Sequence, residues 1–253
     1  MRLVDLSAPI RQSPPETPMP LRTDIEFSGH AQGAAQIEAM LGVPARLLRD
    51  GEGWAVETFT RFGTHNSTHV DAPWHYNSRI GGAPAQPIDE LPLNWFFGPG
   101  VVLDMTAKAD MERIDVADVE GELERIGHTL GERDIVLVRS GRDAKLDDPT
   151  YVGIGPSVTP EATRWLFGQG VRVMGIDAWG WDGPLYGQAQ EALERDEPGI
   201  FWAAHQADLP YAQIERLANL GELPPSGFQV ACFPLRIEGG GAAPARVVAI
   251  LPD

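Results

Sequence analysis

Residues 64–75, THNSTHVDAPWH, hold three of the six histidines of this 253-residue chain together with an aspartate. His65, His69, Asp71 and His75 offer imidazole nitrogens and a carboxylate, the donors that bind zinc, manganese or iron. No cysteine joins them, so the donor set is not that of a structural zinc finger. A nitrogen-and-oxygen site that keeps a position open for water points to catalysis. A divalent ion in such a site lowers the pKa of bound water from near 16 to about 7 and polarises a carbonyl.

The donors can converge only on a bent backbone. Thr64, Thr68, Val70 and Pro73 disfavour a helix. In an extended chain, residues four apart lie about 13 Å apart, too far to share an ion. Asn66 and Ser67 are turn formers, and Pro73 forces a second change of direction before His75. His69 and Asp71 then share one side of a short strand, with His65 and His75 folded back toward them.

The elements that must carry this segment follow from the rest of the pattern. RLVDLS, AVETFTRF, VVLDM, DIVLVRS, VRVMGIDA, FQVACFPLRI and ARVVAIL read as strands, several of them apolar nearly throughout, as in a sheet covered on both faces. Val116, Val119, Leu123 and Ile126 recur at helical spacing between Asp115 and Gly127. TPEATRWLFGQG has Thr159 as N-cap, Pro160 at the first helical position and Gly170 at its end. The pattern predicts an α/β protein, helices packed on a mixed β-sheet, as one domain over residues 1–253 with no linker and no repeat. APIRQSPPETPMP and GPLYGQAQEALERDEPG read as loops, the second containing one helical turn, and either could cover a site.

Thirty-six acidic residues against twenty basic ones give a net charge of −16, which repels nucleic acid and anionic membranes. The single cysteine, Cys232, lies in an apolar run and excludes an intramolecular disulfide. The first residues lack a basic region followed by an apolar stretch, and no window approaches the roughly 18 apolar residues of a membrane span. The expectation is a cytoplasmic protein whose partner is a small molecule.

HNSTHVDAPWH resembles the His-x-Gly-Thr-His-x-Asp-x-Pro-x-His signature of the cyclase family of metal-dependent hydrolases, which includes kynurenine formamidase and isatin hydrolase. Ser67 stands where that signature has glycine; serine is small and compatible with a turn. LVDLSAPI, DIVLVRSG, PSVTPEATRWL with VRVMGIDA, HQADLPYAQIERLANLGELP and FPLRIEGGGAAPARVVAIL extend the resemblance over nearly the whole chain. It implies the family's swivelling β/β/α-like fold and one or two divalent ions per subunit, Zn2+ or Mn2+. His65, His69 and Asp71 would hold one ion, while Asp71, His75, His205 and Glu215 would contribute to a second or carry protons, with His75 and His205 as the catalytic pair. It also implies a homodimer or homotetramer. Read without the resemblance, Glu215 is a solvated helix position beside Arg216, with Ile214 and Leu217 turned inward.

GIDAWGWDGP places Asp177, Trp179 and Trp181 at alternate positions, and Trp74 lies inside the signature. If the strand continues, these side chains face one way, and Trp74, Trp179 and Trp181 become candidates to bind a flat substrate; core packing is the competing use of such residues. LNWFFGPG offers Trp95, Phe96 and Phe97 as interface or core residues. The reaction expected is hydrolysis of the amide or lactone carbonyl of a small cyclic or aromatic metabolite, on the isatin hydrolase side of the family. Alternatives are an arylformamidase, a non-catalytic metal-binding protein on the same fold, and a lyase that stabilises an enolate. The chain has no Gly-x-Ser-x-Gly, and Cys232 is distant in sequence from any histidine, so serine- or cysteine-hydrolase chemistry is not indicated.

Overall fold

The apolar runs pair into a nine-stranded mixed sheet in a computed structural model that describes residues 1–252. Its order is Arg2–Asp5, Val248–Leu251, Phe228–Ala231, Phe97–Asp104, Ile135–Arg139, Val173–Ile176, Ala212–Glu215, His69–Asp71 and Ala242–Pro244. The four strands from Phe97–Asp104 to Ala212–Glu215 are parallel to one another, and every outer pairing is antiparallel. Parallel neighbours need long crossovers, and three helices lie in them: Val116–Ile126, Pro160–Gly168 and Leu185–Arg195.

Alternation along the central strands divides the core between two faces. Val102, Ile135, Leu137 and Val173 join one apolar cluster, while Val101, Leu103, Val136, Val138, Met174 and Ile176 join the other. The sheet is therefore buried on both sides, as its uninterrupted apolar runs imply. Helix Val116–Ile126 presents Val119 and Leu123 to the second cluster. It starts at a capping box between Asp115 and Asp118 and stops at left-handed Gly127. Helix Pro160–Gly168 starts on Thr159, whose side chain accepts from Ala162 N, and buries Ala162 and Leu166.

The chain forms two compact units, Met1–Pro9 with Ser67–Asp253, and Ile10–Asn66. The first holds the whole nine-stranded sheet. The smaller unit contains a two-stranded ribbon, Asp24–Ser28 with Val56–Arg61, so the AVETFTRF strand forms but outside the main sheet. Its helix, His30–Leu41, gives little signal in the sequence because it buries only Gly33, Ala34 and Ile37. Gly33 permits a close approach that no other residue could, since a Cβ there would lie 1.8 Å from the Trp54 carbonyl oxygen.

Two expectations change. GPLYGQAQEALERDEPG is not a loop with one helical turn: Leu185–Arg195 is an 11-residue helix between Pro184 and left-handed Asp196. Its Gln188–Arg195 portion consists of good helix formers, which outweigh Gly187. The second change is Glu215, which ends a buried strand and does not lie on a solvated helix. Among the described residues no helix is long and apolar enough to cross a membrane.

Candidate metal centre

Three hydroxyl-bearing or turn-forming residues set the path of the signature segment. Ser67 Oγ donates to Ala8 O at 2.9 Å, and Thr68 Oγ1 donates to Arg216 O at 2.5 Å while accepting from Ala8 N at 2.8 Å. These bonds deliver the chain into the His69–Asp71 strand, all three residues of which are buried. Pro73 then does more than bend the chain. It occupies the first position of a single helical turn, Pro73–Tyr76, where its missing N–H costs nothing, and that turn carries His75.

Register brings the donors together. Glu215 pairs with His69 and Gln213 with Asp71 across the antiparallel junction, so the four side chains share one face of the sheet. His69, Asp71 and Glu215 each offer a ligand atom, and these atoms lie within 4.8 Å of one another. His69 Nε2 is 3.2 Å from Asp71 Oδ1 and 3.7 Å from Glu215 Oε2. His69 Nδ1 lies 2.7 Å from Ser67 O. A carbonyl oxygen can only accept, so Nδ1 carries a proton and neutral His69 turns its Nε2 lone pair toward the two carboxylates. Acceptors gathered this closely in a buried place call for a proton or a cation between them. Burial opposes charge on His69, but the Asp71 and then Glu215 carboxylates raise its pKa overall. The donor set fits a divalent ion, and the Nδ1 contact to a backbone carbonyl fixes the histidine as metal-binding histidines are commonly fixed.

His205 lies beside this set. Its Nε2 is 3.5 Å from Glu215 Oε1, and its Nδ1 contacts the Asp182 carboxylate. Asp182 is held in turn by Ala204 N at 2.6 Å and His205 N at 3.2 Å. Burial would lower the pKa of His205, but Asp182 and then Glu215 outweigh it and push it up to about 10. A cation on Glu215 would offset part of that rise. Trp202 stacks on the imidazole, with centroids 4.9 Å apart and planes 10° apart, and Tyr76 meets it edge-on at 5.2 Å. His75 is half-buried, its ring 6.1 Å from that of His205 and 5.1 Å from Trp202. His65 belongs to the smaller unit, in the turn that precedes Asn66.

The tryptophans do not form one wall. The strand ends at Ile176, so the alternation that would align Asp177, Trp179 and Trp181 is lost. The Trp181 side chain is fully buried in the core, its indole donating to Thr163 Oγ1 at 2.9 Å, and does not line a pocket. Its backbone N–H, however, donates to Glu215 Oε1 at 3.1 Å. Trp179 lies beneath Arg216, whose guanidinium carbon is 3.4 Å from the indole centroid. Trp74 is 47% exposed. Asp177 braces the end of the Ile135–Arg139 strand by accepting from Ser140 N and Oγ, both at 2.6 Å, and from Gly141 N at 2.8 Å. Burial raises its pKa to about 6 against those bonds.

Asp182 and Trp202 belong to the site but lie outside the signature and the resemblance. Asp182 sits within the GIDAWGWDGP patch, where a carboxylate in a Gly/Pro-rich turn is its one local signal. Trp202 precedes His205 by three residues and carries no signal of its own.

Comparison with known proteins gives a consistent result. The family model described as Putative cyclase matches residues 4–183. Kynurenine formamidase from Salinibacter ruber is 33% identical over 191 residues, covering 74% of this chain and 76% of that protein. Isatin hydrolase from Roseibium aggregatum is 28% identical over 209 residues, covering 75% and 73%. Among solved structures, isatin hydrolase A from Labrenzia aggregata bound to benzyl benzoate has the same fold, with a TM-score of 0.72 at 24% identity over 100% of this chain and 94% of that one.

Proposed function

Because the chain belongs to the cyclase family, we propose that it is a metal-dependent hydrolase of the amide or lactone carbonyl of a small cyclic or aromatic metabolite. The observation that carries this reading is the buried set of His69, Asp71 and Glu215, with Nδ1 of His69 committed to Ser67 O. These three residues would hold a divalent ion, Zn2+ or Mn2+, with His75 and His205 as further ligands if a second ion binds. The bound ion would supply Lewis-acid charge that makes water nucleophilic at neutral pH and polarises the carbonyl.

The chain's own residues account for proton movement. Asp182 holds Nδ1 of His205. While the ring's pKa stands at about 10 it is charged, and Nε2 gives its proton to the departing nitrogen or oxygen. Nε2 would take a proton from the attacking water only where a cation on Glu215 brought that pKa down toward neutrality. Trp202 stacked on the ring and Tyr76 at its edge limit its rotation and keep bulk water from that face. Trp181 N–H fixes one Glu215 oxygen, which keeps the carboxylate aimed between His69 and His205. His75, facing His205, is the second proton carrier.

A formamidase reading is favoured by the 33% identity to a kynurenine formamidase, and differs only in the bond opened, an acyclic formamide in place of a ring amide. The continuous family match over residues 4–183 spans both units and supports reading them as one domain. We also propose a cytoplasmic homo-oligomer. Of the three aromatic candidates, Phe96 is core and Trp95 packs against it, whereas Phe97 is 46% exposed and available to an interface.

Metal analysis of the purified protein tests the central reading, followed by hydrolysis of N-formyl arylamines, isatin-like cyclic amides and unsaturated lactones before and after chelation. Chelation is expected to abolish hydrolysis, and zinc or manganese to restore it. Full activity of metal-free protein overturns the mechanism.

A further inference from the structure

Arg216 follows Glu215 directly and is 7% exposed, yet its Nε is buried without a hydrogen-bond partner. No ion pair joins its guanidinium to an acid among the described residues. Burying a cation without a partner is unfavourable, and an indole face compensates it only in part. Trp179 supplies that face, 3.4 Å from the guanidinium carbon to the ring centroid. Stacking covers one plane of the guanidinium and leaves its N–H donors presented at the edge, the geometry that matches a carboxylate in a two-pronged contact.

The backbone holds this residue in place. Arg216 has φ of 59°, the left-handed region that arginine gains nothing from occupying. Its N–H donates to Ala178 O at 3.1 Å, and its carbonyl accepts from Thr68 Oγ1. Strain of this kind clusters at functional sites, and this residue lies beside the ligand set. The guanidinium is near enough to Glu215, Asp71 and His69 for their charges to interact, although it pairs with neither acid.

We propose that Arg216 is the receptor for a carboxylate carried by the substrate, so that the bond hydrolysed belongs to an anionic, carboxylate-bearing molecule. The inference rests on the hydrolase reading and narrows its substrate class. A single guanidinium among Asp71 and Glu215 suits a monoanion better than a doubly charged phosphate. In a chain of net charge −16, a guanidinium beside the site adds to the local positive potential that an approaching anion meets. Trp179 then acts as the platform that keeps the fork planar and oriented.

The test compares 2-formamidobenzoate with formanilide as substrates, and 2-aminobenzoate with aniline as calorimetric probes, on metal-loaded wild type, Arg216→Gln and Arg216→Lys of measured metal content. Wild type is expected to bind 2-aminobenzoate at least tenfold more tightly than aniline. Arg216→Gln should abolish that preference at unchanged metal stoichiometry, and Arg216→Lys should keep part of it. In kinetics, Arg216→Gln should raise KM for the carboxylate substrate at least tenfold more than it raises KM for formanilide. A wild type without the preference, a Gln variant that keeps it, or an equal loss of kcat/KM on both substrates overturns the proposal. If the Gln variant does not fold, Arg216→Met and Arg216→Lys carry the comparison. Should wild type hydrolyse neither substrate, the hydrolase reading suffers, while the calorimetry still decides the role of Arg216.

Discussion

Glu215 stands directly opposite His69 across an antiparallel strand pair, and its two oxygens divide between two histidines. Oε2 lies 3.7 Å from His69 Nε2 and Oε1 3.5 Å from His205 Nε2. One carboxylate thus joins the proposed ligand set to the proposed proton carrier. Glu215→Gln keeps the shape and removes the charge, so bound metal and hydrolysis should fall together, metal affinity by on the order of 10-fold or more. Metal titration of the purified variant checks this; a Gln variant that holds metal at full stoichiometry and affinity would place the ion elsewhere.

Asp182 acts through His205 and is a positioning residue. Asp182→Asn puts an amide opposite Nδ1, which disturbs the tautomer that leaves Nε2 free to move protons. The expected result is a fall in kcat on the order of 100-fold with KM and metal content close to wild type. Inductively coupled plasma analysis beside steady-state kinetics separates this from a ligand role, because loss of metal in the variant would assign Asp182 to the ion.

Asp177 gives the pH prediction. Its folded pKa, about 6, lies above the ordinary carboxylate value, so the folded protein binds a proton more readily than the unfolded chain does. Between roughly pH 4 and pH 6 the native state holds that proton and the unfolded state does not, so its contribution to stability is full below pH 4 and declines as pH rises through 6. Asp177→Asn removes this dependence. The stability of wild type relative to the variant should therefore decrease by about 2–3 kcal/mol from pH 4 to pH 7. Denaturant unfolding of both proteins at four pH values reads the difference, and a difference that stays constant with pH refutes it.

Much of this site is legible in the sequence because His69 and Asp71 obey a local rule, two residues apart on a strand, and Pro73 marks where that strand ends. Glu215 is legible only by resemblance, since AQIERL has the same apolar spacing on a strand or a helix over so few residues. The parallel pairing that makes it a strand comes from Val173–Ile176, distant in the chain. Asp182 and Trp202 depend wholly on how the Leu185–Arg195 crossover returns His205 to the sheet, which no local pattern encodes. Ser67 in place of glycine is explained by a contact just as remote, its hydroxyl bond to Ala8 O. Ser67→Gly should cost about 1 kcal/mol of stability and leave kcat unchanged, as thermal melts and kinetics on one preparation would show.

Trp179 and Trp181 lie two residues apart and separate cleanly by experiment. Trp181 fills the core completely and bonds Thr163, so Trp181→Leu leaves both a cavity and an unpaired hydroxyl acceptor. Its cost should be about 2–4 kcal/mol, read as a lower midpoint in denaturant. Because its backbone N–H still reaches Glu215 Oε1, the folded fraction should keep its metal and most of its kcat. Trp179→Leu removes the face on which Arg216 lies, a contact worth about 0.5–2 kcal/mol. The guanidinium then loses its orientation, so KM for a ring-bearing carboxylate substrate should rise while kcat changes less, the pattern of binding lost equally in ground and transition states. Measuring KM and the unfolding midpoint on both variants decides the assignment. A rise in KM for Trp181→Leu with no loss of stability would return that residue to the pocket, and an unchanged KM for Trp179→Leu would remove Trp179 from substrate binding.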